Sequence, residues 1–179
     1  MLLALRRYIG SRYGVLKVRW KKDTQQELTN FYSGSQNALV IMPEDPQSSE
    51  IAVSVVRFLE RKFQGRNCIV VASPQAANLV SKYTGAEVVR FRETDLTLFQ
   101  LPKKSFSNRF TKRQYDIVVD LNLGFDLFAS YLSTRVVSRY RVSFAKEYGD
   151  VFYNIQYRYV PGQSKQLIYN SLCDFLEKF

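Results

Sequence analysis

The chain has 179 residues, 46% of them apolar and 15% aromatic, which excludes wholesale disorder and fits a single domain able to bury roughly two-thirds of its unfolded surface. It carries 26 basic and 16 acidic side chains, a net charge of +10, which either attracts polyanions (nucleic acid, anionic lipid headgroups or sugar phosphates) or simply gives a basic soluble surface. There is no histidine, which excludes a Ser–His–Asp triad, a Cys–His pair and any imidazole metal site.

Residues 1–37 form a basic N-terminal arm in which Arg6, Arg7, Arg12, Lys17, Arg19, Lys21 and Lys22 alternate with Tyr8, Tyr13, Val15, Leu16, Val18 and Trp20. Met1–Tyr13 is expected to be a short amphipathic helix broken near Gly14, followed by a helical turn or two within Asp23–Tyr32. The seven cations are candidates for polyanion binding. Cations interleaved with aromatics suit RNA through stacking and phosphate contact, with nucleic acid the less favoured partner. They also suit an anionic membrane surface. The favoured reading is an arm that packs Trp20 and the tyrosines on the core, with its lysines solvated. The start of the chain lacks a signal-peptide cleavage pattern, and no run of ~18 apolar residues follows. The expected location is cytoplasmic, peripheral to the inner membrane if the arm binds lipid.

From residue 38 to 179 the pattern is that of one Rossmann-like domain. Ala38–Met42 is a continuous apolar run, as a strand buried on both faces requires. Asp45-Pro46 then supplies a helix cap and a first-turn proline, and Ala52, Val56, Leu59 and Phe63 mark one helical face ended at Gln64-Gly65. The unit repeats: Cys68–Ala72 is a second strand, Ser73-Pro74 a second cap, and Ala76, Leu79, Val80 and Tyr83 a second face stopped by Gly85. Glu87–Phe91 is a third strand. The polar stretch 92–113 is expected to hold at most a short strand near Leu96–Leu101. Tyr115–Leu121 is a fourth strand, Phe125–Leu132 a helix and Arg135–Val142 a fifth strand. Val151–Val160 alternates weakly, like an edge strand, and Ile168, Leu172, Phe175, Leu176 and Phe179 form a last helical stripe. Alternating strands and helices imply an α/β fold with a mostly parallel sheet, helices on both faces and the first strand central.

Ligands of such sheets bind beyond the carboxyl ends of the strands. The candidate residues there are Glu44, Asp45, Gln47, Ser48 and Ser49 after the first strand, Ser73 after the second, and Asn122 after the fourth. The first loop has no glycine and is neither a dinucleotide fingerprint nor a phosphate loop. Asp45 is expected to cap its helix, and Asn122 either meets a sugar hydroxyl or makes a local loop bond. Asp116, at the entrance of the fourth strand, is expected to be solvated, and Cys68 and Cys173 to pack in the core. No metal site and no cofactor emerge.

Three segments carry a family resemblance. Ala38-Leu39-Val40-Ile41, followed by the helical Val55–Gly65, looks like the first strand and helix of the lipopolysaccharide heptosyltransferases, glycosyltransferase family nine. Tyr115–Asn122 resembles that family's "YDLVIDLQ" strand, and Arg141-Val142-Ser143-Phe144 is similar to its "RIGF" strand end. The resemblance covers 38 to about 159 and implies the N-terminal, acceptor-side half of a GT-B fold. In the family a Gly-Asp pair after the first strand supplies the catalytic base; the matching positions here are Gln47 and Ser48. The family's donor-binding domain has no counterpart in these 179 residues, and neither do residues 1–37 have one in the family. The expectation is therefore a degenerate, non-catalytic glycosyltransferase-like domain that binds a sugar-containing or anionic ligand, such as a lipopolysaccharide precursor, or a partner protein. An enzyme completed by a separate donor-binding subunit is the alternative, and a basic RNA-binding protein a weaker one.

Overall fold

A computed structural model describes residues 2–19, 27–64 and 67–179, with side chains from 9 to 18 in the first of these stretches. Trp20, Lys21 and Lys22, and the side chains of Arg6, Arg7 and Arg19, lie outside the described part. After helix α1 (Leu2–Arg19) come β1 (Ala38–Ile41), α2 (Pro46–Phe63), β2 (Cys68–Ala72), α3 (Pro74–Tyr83) and β3 (Glu87–Arg90). Then follow α4 (Lys104–Thr111), β4 (Gln114–Asp120), α5 (Leu127–Arg135), β5 (Val137–Phe144), α6 (Gly149–Phe152), β6 (Ile155–Tyr157) and α7 (Lys165–Glu177).

The six strands form one parallel sheet in the order β3-β2-β1-β4-β5-β6. The order reverses between β1 and β4, so the topological switch point lies where Ile41 stands beside Asp120. Alternation along each strand divides the core in two. Val40, Val70 and Val119 face α2, α3 and α7, whereas Leu39, Val71 and Val118 face the aromatic group of Phe91, Phe106, Phe110 and Phe128 under α4 and α5. Phe91 and Phe128 stack with ring centroids 4.1 Å apart. Cys68 is fully buried, and its apolar surroundings push its thiol up to about 12.

Several elements differ from the sequence reading. The stretch 92–113 contains α4 and a single antiparallel bridge between Leu96 and Pro102 in place of a strand. Val151–Val160 divides into the end of α6 and the short β6. Asp116 is not simply solvated. Its Oδ2 accepts from the backbone N–H of Gln36 (2.8 Å) and of Asn37 (3.3 Å) and from Asn37 Nδ2 (3.3 Å), fixing the chain where it enters β1. The last part of the N-terminal segment packs on the domain: Phe31 and Tyr32 are buried in the main core. Ser33 donates through both N–H (3.1 Å) and Oγ (2.7 Å) to the Phe179 carbonyl, and the rings of Phe31 and Phe179 lie 5.3 Å apart.

Helix α1 does not break at Gly14. It continues to Arg19, because both glycines serve its packing. Gly10, Gly14 and Val18, at i, i+4 and i+8, make its buried face. A Cβ at Gly10 would lie 2.2 Å from the Phe99 carbonyl oxygen and 2.8 Å from Leu127, so only glycine permits this approach. At Gly14 the nearest atom, Leu127 Cδ1, would be 3.3 Å away. Two effects therefore compete when alanine is introduced. Removing a helical glycine is worth about 1 kcal/mol of stabilisation, and overpacking costs about 1–3 kcal/mol. Gly10→Ala is expected to lower the melting temperature because the obstacle is backbone, whereas Gly14→Ala should leave it nearly unchanged or slightly raised. Thermal denaturation of the two variants side by side checks the order.

Candidate functional site at the switch point

The loop after β1 begins the site. Asp45 Oδ2 accepts from the Ser48 N–H (2.8 Å), capping α2, and from Lys165 Nζ (2.8 Å) at the start of α7. The Lys165 ammonium and the Ser48 N–H hold its carboxyl down to about 2. Ser48 is buried, and Ser49, also buried, donates to the Pro43 carbonyl (2.6 Å). Gln47 and Glu44 are exposed. Ser73 caps α3 by accepting from the Ala76 N–H at 3.4 Å.

Beside this loop lies a buried polar network. Asp120 is fully buried at the end of β4 and pairs with Lys146 Nζ (2.8 Å), itself almost wholly enclosed. The same carboxyl oxygen accepts a short bond from the Tyr153 hydroxyl, which also lies 3.0 Å from Ser130 Oγ on α5. The other oxygen accepts from Asn122 N–H (2.9 Å) and Asn122 Nδ2 (2.7 Å), and Lys146 donates to the Asn122 carbonyl (2.7 Å). Asn122 is thus engaged in a local loop bond. Burial, and next the Asp120 charge, raise the Tyr153 phenol well above its ordinary value, so it acts as a donor.

A cavity of about 220 Å³ opens next to this network, beneath α1. Glu44 enters it from the β1 loop and Asp126 from the N-cap of α5. Ser11 of α1 and Gln100 complete its polar lining, and Phe125 and Phe128 supply apolar wall. Gln100 holds a left-handed backbone, with φ of 62°, at this edge. Asp126 Oδ1 accepts from the Ala129 N–H (2.7 Å), but burial, followed by repulsion from Asp120 and Glu44, lifts its carboxyl to about 6.

Of the residues that the sequence marks, Glu44 alone lines this cavity; Asp45, Ser49 and Ser73 are held in caps and turns, and Asn122 in the network. Asp126, Lys146, Tyr153, Ser130, Ser11 and Gln100 lie outside the sequence reading, and two of them carry a signal in the sequence. Asp126 precedes an apolar helix as a cap should, and a carboxylate ending a buried strand needs a cation, for which Lys146 is available after β5. Of the arm's cations, Arg12 and Lys17 are described, and both are exposed. No group of carboxylates and thiols able to hold a metal occurs among the described residues.

No protein-family model matches the chain, and no curated protein does. Solved structures of the E. coli heptosyltransferase WaaC match it in fold. With WaaC in complex with ADP the TM-score is 0.61 at 12% identity, over 78% of this chain and 47% of that one. With WaaC in complex with ADP-2-deoxy-2-fluoro heptose it is 0.61 at 13%, over 80% and 49%. The chain spans about half the length of these proteins, and the likeness is one of fold: a Rossmann-like half of a heptosyltransferase.

Two outcomes follow from the charges. Lys146→Met would leave the Asp120 carboxylate buried without its cation, and urea denaturation should show a loss of about 3–5 kcal/mol. Asp126 has a folded pKa of about 6, above its ordinary 3.8. Its contribution to stability is therefore full below about pH 4 and lost as the pH rises through 6. Asp126→Asn keeps a capping oxygen and does not titrate. It should match the parent near pH 4 and exceed it by about 1–3 kcal/mol at pH 8, as denaturation at the two pH values will read.

Proposed function

We propose that this chain is a glycosyltransferase-like domain that holds a sugar-bearing ligand at the carboxyl edge of its sheet and does not transfer a sugar by itself. The observation that carries the reading is the cavity at the switch point, with Glu44 and Asp126 on its walls beside Ser11, Gln100 and two phenylalanines. Carboxylates and an amide accept from and donate to vicinal hydroxyls, and aromatic faces cover the apolar face of a pyranose. Two carboxylates make the cavity itself a poor host for an anion, so an anionic part of the ligand would lie outside it.

The absence of transfer is supported by the state of the β1 loop. Ser48, at the position the family resemblance assigns to the base, is buried. Its neighbour Asp45 is held near pKa 2 by Lys165 and is too weak a base to take a hydroxyl proton. The place of Asp126 on the cavity wall favours a second reading. The Asp126 carboxyl, at about 6, lies in the range in which a general base works near neutrality. With a donor site supplied by a separate chain, Asp126 would take the proton of the acceptor hydroxyl. The acceptor oxygen would then bond to the anomeric carbon as the bond from that carbon to the nucleoside diphosphate breaks.

Ligand-observed NMR against a panel of hexoses, heptoses and their oligosaccharides tests the first reading. Binding of at least one sugar is expected, weakened tenfold or more in Glu44→Gln/Asp126→Asn; no binding, or binding indifferent to that pair, overturns it. Incubation with nucleotide sugars and the bound acceptor should give no product. Turnover lost in Asp126→Asn would establish the second reading instead.

A further inference from the structure

On α1, Ile9, Tyr13 and Leu16 fall at i, i+4 and i+7 and form one stripe, turned away from the buried Gly10–Gly14–Val18 face. They are 43%, 50% and 59% exposed. The adjoining loop adds Leu98, 71% exposed, and Phe99, 44% exposed. Between helix and loop runs a mostly apolar groove of about 420 Å³, reaching Leu101, Pro102 and Tyr131. Its polar margin is cationic, with Lys17, Lys104 and Arg135 and no carboxylate among the lining residues. Lys17 lies 3.5 Å from the Tyr13 hydroxyl and beside the Tyr131 ring, and Arg12 lies on the other flank of the stripe.

From this arrangement we propose that the α1 stripe and the 97–99 loop form a docking surface for an anionic phospholipid bilayer. Aliphatic side chains enter the acyl boundary, tyrosine and phenylalanine rings sit at headgroup level, and long cationic side chains reach the phosphates beside them. The helix lies on the surface and does not cross it; no described helix is long and apolar enough to span. Charge complementarity selects this occupant. A second copy of the chain would bring the same cations against Lys17, Lys104 and Arg135, since a two-fold contact pairs a patch with itself. Nucleic acid would meet the cations but gain nothing from Ile9, Leu16 and Leu98. The sheet's carboxyl edge lies immediately under α1, whose Ser11 lines the cavity there, so a docked molecule holds that edge close to the membrane.

Co-sedimentation of the full chain with phosphatidylcholine vesicles, with and without phosphatidylglycerol, tests the surface. Binding to the phosphatidylglycerol vesicles is expected at low salt, with the partition coefficient at least tenfold lower on phosphatidylcholine alone. Leu16→Glu/Leu98→Glu changes exposed positions and should lower it tenfold or more, with circular dichroism unchanged. Lys104→Glu/Arg135→Glu should weaken binding and flatten its salt dependence. Tyr83→Glu, exposed on α3 across the sheet, should have no effect. Failure to bind either vesicle, equal binding to both, or binding untouched by Leu16→Glu/Leu98→Glu overturns the proposal. So does a dimer seen by light scattering that this double variant dissociates, or RNA binding that it abolishes. Sugar binding is read separately, so the two proposals fail independently.

Discussion

A carboxylate at the end of the central strand β4 sets the terms for this edge of the molecule. Asp120 is fully buried, and a lone buried charge would cost several kcal/mol. The fold answers it from four directions: Lys146 after β5, Tyr153 after α6, Asn122 in its own loop and, through Tyr153, Ser130 on α5. Such a network need not stabilise more than an apolar core would, but each member must be in place for any to be satisfied. The loops after β4 and β5, the start of α5 and the end of α6 are thereby set relative to one another, and the switch-point cavity inherits its shape from them.

The sheet was legible in the sequence because its signal is local. Ala38–Met42 and Cys68–Ala72 are apolar runs, Tyr115–Leu121 is interrupted only by Asp116 and Asp120, Glu87–Phe91 centres on two valines, and Asp45-Pro46 and Ser73-Pro74 announce helices within two residues. Helix α4 was hidden because its turns carry Lys104, Asn108 and Arg109, leaving only Phe106 and Phe110 to mark a face. Helix α1 was cut short for the opposite reason: a glycine read as a breaker is the residue that lets the helix touch Phe99 and Leu127. Asp116 and Asp126 each owe their role to tertiary surroundings. Asn37 binds the first, and burial, followed by Asp120 and Glu44, raises the pKa of the second. Topology puts the β1 loop at the switch point, but which of its polar residues face open space depends on caps and on Lys165, which pattern alone does not assign.

Charge is also divided in a way that the net value conceals. A chain of net charge +10 places two carboxylates in its switch-point cavity and three cations around the groove on the far side of α1. Helix α1 separates the two, facing the cavity with Ser11 and the groove with Ile9, Tyr13 and Lys17. Between residues 9 and 18 its inner face is largely glycine, so that stretch depends on close backbone approach for its seat.

The bond from Ser33 to the Phe179 carbonyl joins residues 146 positions apart. Phe31 packs in the same place against Phe179, Phe175 and Tyr140, so part of the main core is assembled from widely separated stretches of chain. Closing a loop of that size is entropically expensive before any contact compensates for it, and every strand pairing here is parallel and therefore non-local as well. During synthesis, β1 to β4 can pair while the aromatic floor beneath Phe31 is still missing. The nascent domain must carry that apolar surface uncovered until α7 has been made and has left the ribosome, which makes that interval a time of exposure to aggregation.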